Sequence, residues 1–367
     1  MKILYVITST EMGGAETALR CLACYAKEKG HEVKIICLKE LGSVGKNIRA
    51  RGLDIVSFCL KGKLNPYQNM GVLARLIGEI QNFNPSVVHA MLFRAIELCR
   101  LAKRRTNFKL ITTPHYDLSK KNYFLRILDR ALKDADDVSV AESNYVHLFL
   151  KEKQKYNKAK LRYIPNSVNT DVFIPNKDLA RKEREKLGFS AQDTLFICVA
   201  RLSAEKNHQT LLKSFAAVKA KNPKMGLILV GDGPENAKLK EFVYLHHLEK
   251  DVCFAGEVSN VYPFLLASDI FVLPSLEESL PISLLESCSC ALPAIVSKVG
   301  DMPQVVEHGK SGFVFNGEDS LLLSVLMAEL SENKNLRQEM GLSARNRIKK
   351  YYSCSEEKYL ELYQKIQ

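Results

Sequence analysis

Residues 270–286 read I-F-V-L-P-S-L-E-E-S-L-P-I-S-L-L-E. The apolar run Ile270–Leu273 reads as a short buried strand stopped by Pro274. The turn-forming stretch after it gives way to an apolar pattern of helical spacing from about Ile282. Pro281 suits the first helical position, so Ser279, Leu280, Pro281 and Ile282 would present free N–H groups at a helix N-terminus. Glu278 then lies in the loop ahead of the helix, and Glu286 lies one to two turns inside it. A carboxylate accepts two hydroxyls well, so both suit a sugar or a ribose. The competing reading is structural: Ser283-Leu-Leu-Glu286 also matches a capping box with Ser283 as N-cap.

The same strand–loop–helix unit recurs along the chain. Strands are expected at Ile3–Ile7, Val33–Leu38, Ser86–Ala90, Leu110–Thr113, Val138–Ala141 and Arg162–Ile164. A second series is expected at Leu195–Val199, Leu227–Val230, Val252–Phe254, Ile270–Leu273 and Ala294–Ser297. Helical patterns such as Ala15–Lys29, Met70–Asn82, Lys206–Lys221 and Asn236–Leu248 lie between them. This alternation predicts an α/β protein with two doubly wound, Rossmann-like domains. The boundary is expected in Pro165–Lys177, where P-N-S-V-N-T-D-V-F-I-P-N-K carries two prolines and several turn formers. Two such lobes leave a cleft, a usual place for a ligand, and ligands of open parallel sheets bind at the strands' carboxyl ends.

The 367 residues exceed what one hydrophobic core usually serves, and the 46% hydrophobic and 26% charged composition is that of a water-soluble globular protein. The opening M-K-I-L-Y-V-I-T is too short an apolar run for a signal peptide or a membrane span, so a cytoplasmic protein is expected. Its ten cysteines are then expected as thiols. Cys21-x-x-Cys24 and the Cys288, Cys290 pair read as core packing. Charge is uneven: residues 1–175 hold 29 Lys and Arg against 16 acids, and residues 176–367 hold 24 against 25. Basic runs include 103–105, Lys120-Lys121 and 151–160. The asymmetry suits an anionic partner (nucleic acid, phospholipid headgroups or a phosphorylated substrate) and equally a lysine-rich surface kept for solubility. Nucleic acid is not expected, because no aromatic-rich basic motif accompanies the charge.

Other loops after strands carry candidates. In T-S-T-E-M-G-G-A-E (8–16), Gly13 and Gly14 let backbone N–H groups approach a ligand at a helix start. The spacing is not G-x-G-x-x-G, so a dinucleotide reading is weak. Arg201 and Lys206 follow Leu195–Val199, and a guanidinium and an ammonium there suit a diphosphate. Gly231-Asp232-Gly233-Pro234 reads as a structural turn, and Gly256 after Val252–Phe254 is similar, with the alternative that its backbone lies under a base or ring. His89 and His115 follow strands in the basic half; His115, in the loop T-T-P-H-Y-D, is the better candidate for a hydrogen bond to a reacting group. Asp134-x-Asp136 has the D-x-D form of a metal–nucleotide site but precedes a strand, which favours a surface or capping role. No metal site is expected.

Taken together, Met12-Gly13-Gly14-Ala15-Glu16, Ile164-Pro165-Asn166, Arg201-Leu202 with Lys206-Asn207, Gly231-Asp232-Gly233-Pro234, and Pro274-Ser275 ahead of Glu278-x7-Glu286 resemble the retaining family 4 glycosyltransferases of GT-B fold. The resemblance covers essentially the whole chain. It implies an acceptor-binding domain over 1–170 and a nucleotide-sugar domain over 171–352, with a last helix within 353–367 crossing back. Carried over, it implies that Arg201 and Lys206 bind the donor's diphosphate, Glu286 the ribose and Glu278 the donor sugar. Gly13 and Gly14 would close over the phosphates, and His115 would lie near the anomeric carbon. It implies a UDP-sugar donor without a metal, and transfer of a hexose or N-acetylhexosamine to a glycan acceptor. That acceptor would be a lipid-linked oligosaccharide of bacterial surface polysaccharide or glycoprotein glycan assembly. With the basic N-terminal half, this implies a cytoplasmic enzyme in peripheral contact with the inner face of an anionic membrane. Serine 279 stands where the family often has glycine, Asn166-Ser167 replaces the commoner Asn-Gly, and Ala141 replaces a frequent serine before Glu142. The alternatives are a non-catalytic protein binding an anionic membrane or nucleic acid, and a sugar-nucleotide epimerase of the same fold.

Overall fold

The computed structural model describes residues 1–60, 66–115 and 123–366. The chain divides into two units: Met1–Asn166 with Cys354–Gln367, and Ser167–Ser353. Lys120-Lys121 and Tyr116, which belong to the basic run and the His115 loop of the sequence reading, lie outside the described residues.

The first unit begins with β1 (Lys2–Ile7), α1 (Gly14–Glu28), β2 (Glu32–Lys39), α2 (Ser43–Ala50), β3 (Asp54–Leu60) and α3 (Pro66–Phe83). It continues with β4 (Val87–Met91), α4 (Phe93–Lys103), β5 (Lys109–Thr113), α5 (Tyr123–Leu132), β6 (Val138–Ala141), α6 (Asn144–Glu152) and β7 (Leu161–Tyr163). The seven strands are parallel, in the order β3-β2-β1-β4-β5-β6-β7. Strands covered on both faces must be apolar throughout, and β1 and β4 are buried along almost their whole length. α1 turns Ala15, Leu19, Leu22, Ala23 and Ala26 inward, the three-and-four spacing of one helix face. Each such leucine contributes about 1.5–3 kcal/mol on leaving water.

The second unit runs α7 (Lys177–Lys186), β8 (Thr194–Val199), α8 (His208–Lys219), β9 (Met225–Val230), α9 (Asn236–Leu245), β10 (Val252–Gly256) and α10 (Tyr262–Ala267). Then come β11 (Ile270–Leu273), α11 (Ile282–Ser289), β12 (Ala294–Ser297), α12 (Met302–Val305), β13 (Gly312–Phe315), α13 (Ser320–Glu332) and α14 (Lys334–Tyr351). Its six strands are also parallel, ordered β10-β9-β8-β11-β12-β13. Asn176, Asp319 and Asn333 cap helices by accepting an N–H three residues on.

The last helix, α15 (Ser355–Ile366), belongs to the first unit, where Tyr359, Leu360 and Tyr363 join the core that α1 covers. His89 sits in this core with Nδ1 2.7 Å from the Tyr363 hydroxyl and Nε2 2.8 Å from Thr113 Oγ1. Burial, with His115 nearby, pushes its pKa down to about 3. Both ring nitrogens are therefore committed, and the structural role expected for a lone histidine is the one observed.

The expected strands appear, within two residues at their ends, together with two that the sequence reading does not contain. These are β3 and β13, which lie at the two sheets' edges. The D-x-D is structural, but Asp136 departs from the surface or capping role expected of it, because a buried guanidinium needs a buried carboxylate partner. Asp136 is buried and accepts from Arg100 Nε at 2.8 Å and Nη2 at 2.7 Å, while Asp134 sits in a short 3-10 turn. All ten cysteines are free thiols.

Candidate functional site

The second sheet reverses its winding between β8 and β11, which lie side by side. From β8 the chain proceeds toward one edge, and from β11 toward the other. Loops leaving adjacent strands at such a switch point part to opposite faces and leave a crevice. Arg201 and Lys206 occupy the loop after β8, and Glu278, Ser279, Leu280 and Pro281 the loop after β11.

The loop after β8 is zipped to the Gly231–Pro234 turn. Ala200 N–H donates to Val230 O at 3.0 Å, Leu202 N–H to Asp232 O at 3.0 Å, and Glu235 N–H to Leu202 O at 2.9 Å. Gly231 adopts φ +134°, and a Cβ there would stand 2.1 Å from Ala200 O. The turn is structural, as its composition indicates, and what it supports is the backbone that carries the exposed Arg201.

Lys206 ends a 3-10 turn, and Asn207 follows in the left-handed region at φ +55°, ψ +38°. Helix α8 therefore starts at His208, two residues later than its apolar pattern suggests. Asparagine tolerates this conformation because its amide can bond locally. Here Asn207 Nδ2 donates to Gly317 O at 2.8 Å and Pro274 O at 3.3 Å, and Leu276 N–H donates to Glu205 O at 2.8 Å. The two loops are thus tied through main-chain carbonyls. Across them, Lys206 Nζ donates to Glu278 Oε1 at 2.6 Å, and Ser275 Oγ donates to the same oxygen at 3.0 Å.

Helix α11 begins at Ile282, with Pro281 as the extended residue before it at φ −70°, ψ 126° and no side-chain cap. Pro281 is thus one position earlier than expected. Ser283 is the second helical residue, which rules out Ser283 as the N-cap of a capping box. Leu280 and Ile282 bury their side chains, so these positions can offer a ligand only main-chain groups. Glu286 is in the helix interior and buried. The turn carrying Glu278 and Ser279 is braced from behind: Asp301 N–H donates to Ser279 O at 2.7 Å, and Gly300 packs at φ +52° where a Cβ would meet Glu278 O at 2.4 Å.

In the first unit, Gly13 and Gly14 follow β1, and His115 follows β5, two strands away in the sheet. Gly13 is extended ahead of α1, and a Cβ there would lie 2.3 Å from Glu16 Oε2. Glu16 is buried, accepts from Ser9 Oγ at 3.0 Å, and has its pKa raised chiefly by that burial. His115 adopts φ +51°. Its Nε2 is buried without a hydrogen-bond partner among the described residues, and burial pushes its pKa down to about 4. It is therefore neutral near pH 7, able to accept or donate one hydrogen bond.

The structure thus brings Arg201, Lys206, Ser279, Leu280, Pro281, Ile282, Glu278 and Glu286 to one switch point of the second unit. Gly13, Gly14 and His115 belong to the first. The supporting roles of Asn207, Ser275 and Gly300 escape the sequence reading; only the permissiveness of Asn and Gly toward positive φ hints at two of them. Among the described residues no group of three or more His, Cys, Asp or Glu side chains is placed to hold a metal ion.

Residues 12–172 match the family model described as Glycosyltransferase Family 4, and residues 180–347 match Glycosyl transferases group 1. The chain is 26% identical to N-acetyl-alpha-D-glucosaminyl L-malate synthase of Bacillus anthracis, over all of this chain and 97% of that protein. It is 26% identical to the sulfoquinovosyl transferase SQD2 of Arabidopsis thaliana, over 89% of this chain and 65% of that one. Among solved structures, HepE of Anabaena in complex with UDP and glucose superposes with a TM-score of 0.88 at 18% identity, over the whole of both chains. Two parallel Rossmann-like sheets, a return of the last helix to the first unit and these matches agree, and the chain is a family 4 glycosyltransferase with the GT-B fold.

Proposed function

We propose that this enzyme transfers a hexose or N-acetylhexosamine from a UDP-linked donor, with retention at the anomeric carbon, to a lipid-linked oligosaccharide. The observation that carries the donor reading is the meeting of Arg201, Lys206 and Glu278 on the two loops of the β8–β11 switch point, with Glu286 in the helix that follows the second loop. In this reading Arg201 and Lys206 hold the diphosphate, and the N–H groups at the start of α11 add partial positive charge toward it. Charge that develops on the leaving phosphate as the anomeric C–O bond breaks is met by donors already in position. Glu278, fixed by Lys206 and Ser275, accepts hydroxyls of the donor sugar, and Glu286 those of the ribose. Gly13, Gly14 and His115, of the first unit, keep the roles that the family resemblance implies for them, and His115 Nε2 has no hydrogen-bond partner among the described residues. The new bond forms from the acceptor oxygen, whose proton is released. That a structural neighbour was solved with UDP and glucose supports a nucleotide-sugar donor.

The acceptor reading rests on charge. The cationic excess lies within residues 1–175, and a lipid-linked acceptor would bring that half to an anionic surface. Among the described residues no helix is long and apolar enough to cross a membrane, and the contact proposed is a peripheral one.

The test is nucleotide release from a panel of UDP- and GDP-linked sugars. The proposal expects UDP release, lost in both Lys206→Ala and Glu278→Ala, and a product whose anomeric configuration by NMR matches the donor. Release from GDP-sugars alone overturns the donor assignment, and unchanged turnover in both variants overturns the site.

A further inference from the structure

A polar ring interrupts the apolar stripe on the face of β4 that α15 covers. Val87 and Met91 belong to the core there, and fully buried His89 stands between them, with Ile111 of β5 as its register partner. Beyond its bonds to Tyr363 and Thr113, the His89 ring stacks on Tyr359, with ring centres 5.4 Å apart and planes at 29°. Tyr359 itself shares a hydrogen bond with Thr113. Two tyrosines of the last helix thus bear on the last residue of β5, Tyr359 directly and Tyr363 through His89.

Thr113 is held through its main chain as well. Leu92 N–H donates to Thr113 O at 3.4 Å, from a leucine at φ +69°, ψ +149°. A bulky residue adopts positive φ only where its surroundings impose it. His115 repeats this strain at φ +51°, and only Pro114, whose ring fixes its own φ, separates it from Thr113. What holds Thr113 therefore reaches His115 with few free torsions between. Stability alone does not call for the polar set. Apolar side chains of the same shape at 89 and 363 would pack in this core without desolvating polar groups, and exchanging both partners of a buried hydrogen bond in that way is close to neutral. What the bonds add is direction, since each restricts a ring or a rotamer to one setting.

We propose that His89, Thr113 and Tyr363 are positioning residues for His115. The last helix, whose Tyr363 lies 274 positions from His89, thereby sets the angle at which the His115 ring meets a substrate. The inference rests on the role given above to His115, beside the anomeric carbon, and is independent of the base of the donor nucleotide. The competing account is that the tyrosine hydroxyls only anchor α15. Their removal would then cost stability, and turnover would fall only with the folded fraction.

The experiment measures nucleotide release from UDP-glucose and UDP-N-acetylglucosamine by full-chain variants, with urea unfolding on the same preparations. Tyr363→Phe and Thr113→Val each remove one hydroxyl and should lower kcat about tenfold with the donor KM unchanged, the split expected of a misplaced group at the reacting centre. Thr113→Ser keeps the hydroxyl and should keep most of the rate. In a His115→Ala background, itself slowed, Tyr363→Phe should cost nothing further. Ile48→Val, in the same core on α2, registers lost packing alone and should leave kcat unchanged. Histidine-selective NMR gives a readout that needs no donor: Tyr363→Phe should shift the His115 ring resonances, and Ile48→Val should not. Tyr363→Phe at the wild-type rate, with His115→Ala slowed, overturns the positioning role alone. Equal losses in both backgrounds, a kcat that follows the folded fraction, or His115 resonances that stay in place in Tyr363→Phe also overturn it. His115→Ala at the wild-type rate removes the role given to His115 and the positioning role with it.

Discussion

Lys206 Nζ and Glu278 Oε1 stand 2.6 Å apart, so a hydrogen-bonded ion pair joins the loops after β8 and β11 at the switch point of the second sheet. The lysine side chain is 21% exposed and the glutamate 10%, between a solvated surface pair and a buried one. Such a pair should be coupled by about 1–2 kcal/mol. A double-mutant cycle over Lys206→Met and Glu278→Gln, read from urea unfolding, measures it. Coupling indistinguishable from zero would mean that the two side chains are not held together in solution and that each loop keeps its shape alone.

Gly300 offers a cleaner handle on the Glu278 turn, because it touches that turn through backbone only. A Cβ at Gly300 would stand 2.4 Å from Glu278 O and 2.5 Å from Ser279 O, at φ +52°. Neither carbonyl can rotate away as a side chain can. Gly300→Ala should therefore cost about 2–4 kcal/mol and lower nucleotide release with it. Gly256 is the control: φ is +68°, but no atom lies within 4 Å of the added carbon. Gly256→Ala should cost only the left-handed conformation, about 1–2 kcal/mol, with release unchanged. Equal losses of release in both variants would break the link between the Gly300 contact and Glu278.

How much of this was legible in the sequence follows from where each residue's partners lie. Buried central strands such as β1 and β8 are continuous apolar runs, and the loops after them are located by counting. β3 and β13 are less plain: D-I-V-S-F-C-L is broken by an acid and a serine, and G-F-V-F opens on a glycine directly after the turn-forming H-G-K-S. The acids and cations of the candidate site were readable as loop residues after strands. What fixes them was not. Asn207 reaches Gly317 across 110 positions and Gly300 meets Glu278 across 22, and such contacts leave no periodicity in a single sequence. The start of α11 differs from the sequence reading by one residue, since proline serves equally as the last extended residue or the first helical one.

Three buried histidines predict a pH dependence. Burial lowers His89 to about 3, and His115 and His208 to about 4, against an ordinary value near 6.5. With folded values below unfolded ones, the unfolded chain binds more protons as pH falls, so stability is fully present above about pH 6.5. It declines as pH drops through the window between the unfolded and folded values. At pH 5 each such histidine should have removed up to about 2 kcal/mol. Histidine-selective NMR should find these three rings neutral at pH 5.5, and urea midpoints should fall between pH 7 and pH 5. A midpoint that does not move, with the rings titrating near 6.5, would contradict the burial.

The D-x-D at 134–136 gives a prediction in which structure and motif point opposite ways. Asp136 accepts two bonds from Arg100 and one each from Thr112 Oγ1 at 2.8 Å and Ser139 Oγ at 2.9 Å, all buried. Arg100 also donates to Glu97 at 3.0 Å and Asp129 at 2.8 Å, and burial, only partly opposed by Arg100, raises the Glu97 pKa to about 7. Asparagine at 136 keeps the shape but presents one acceptor and one donor to a guanidinium fork that only donates, which leaves a buried N–H opposed to another N–H. Asp136→Asn should therefore destabilise the first unit by about 2–4 kcal/mol, and Asp134→Asn by less than about 0.5 kcal/mol. If the motif served a metal–nucleotide complex, both variants would lose turnover and neither would need to lose stability. Urea unfolding and nucleotide release measured on the same two preparations separate these cases. The structural assignment requires that folded Asp134→Asn enzyme turn over at the wild-type rate and that Asp136→Asn lose activity only in step with its folded fraction.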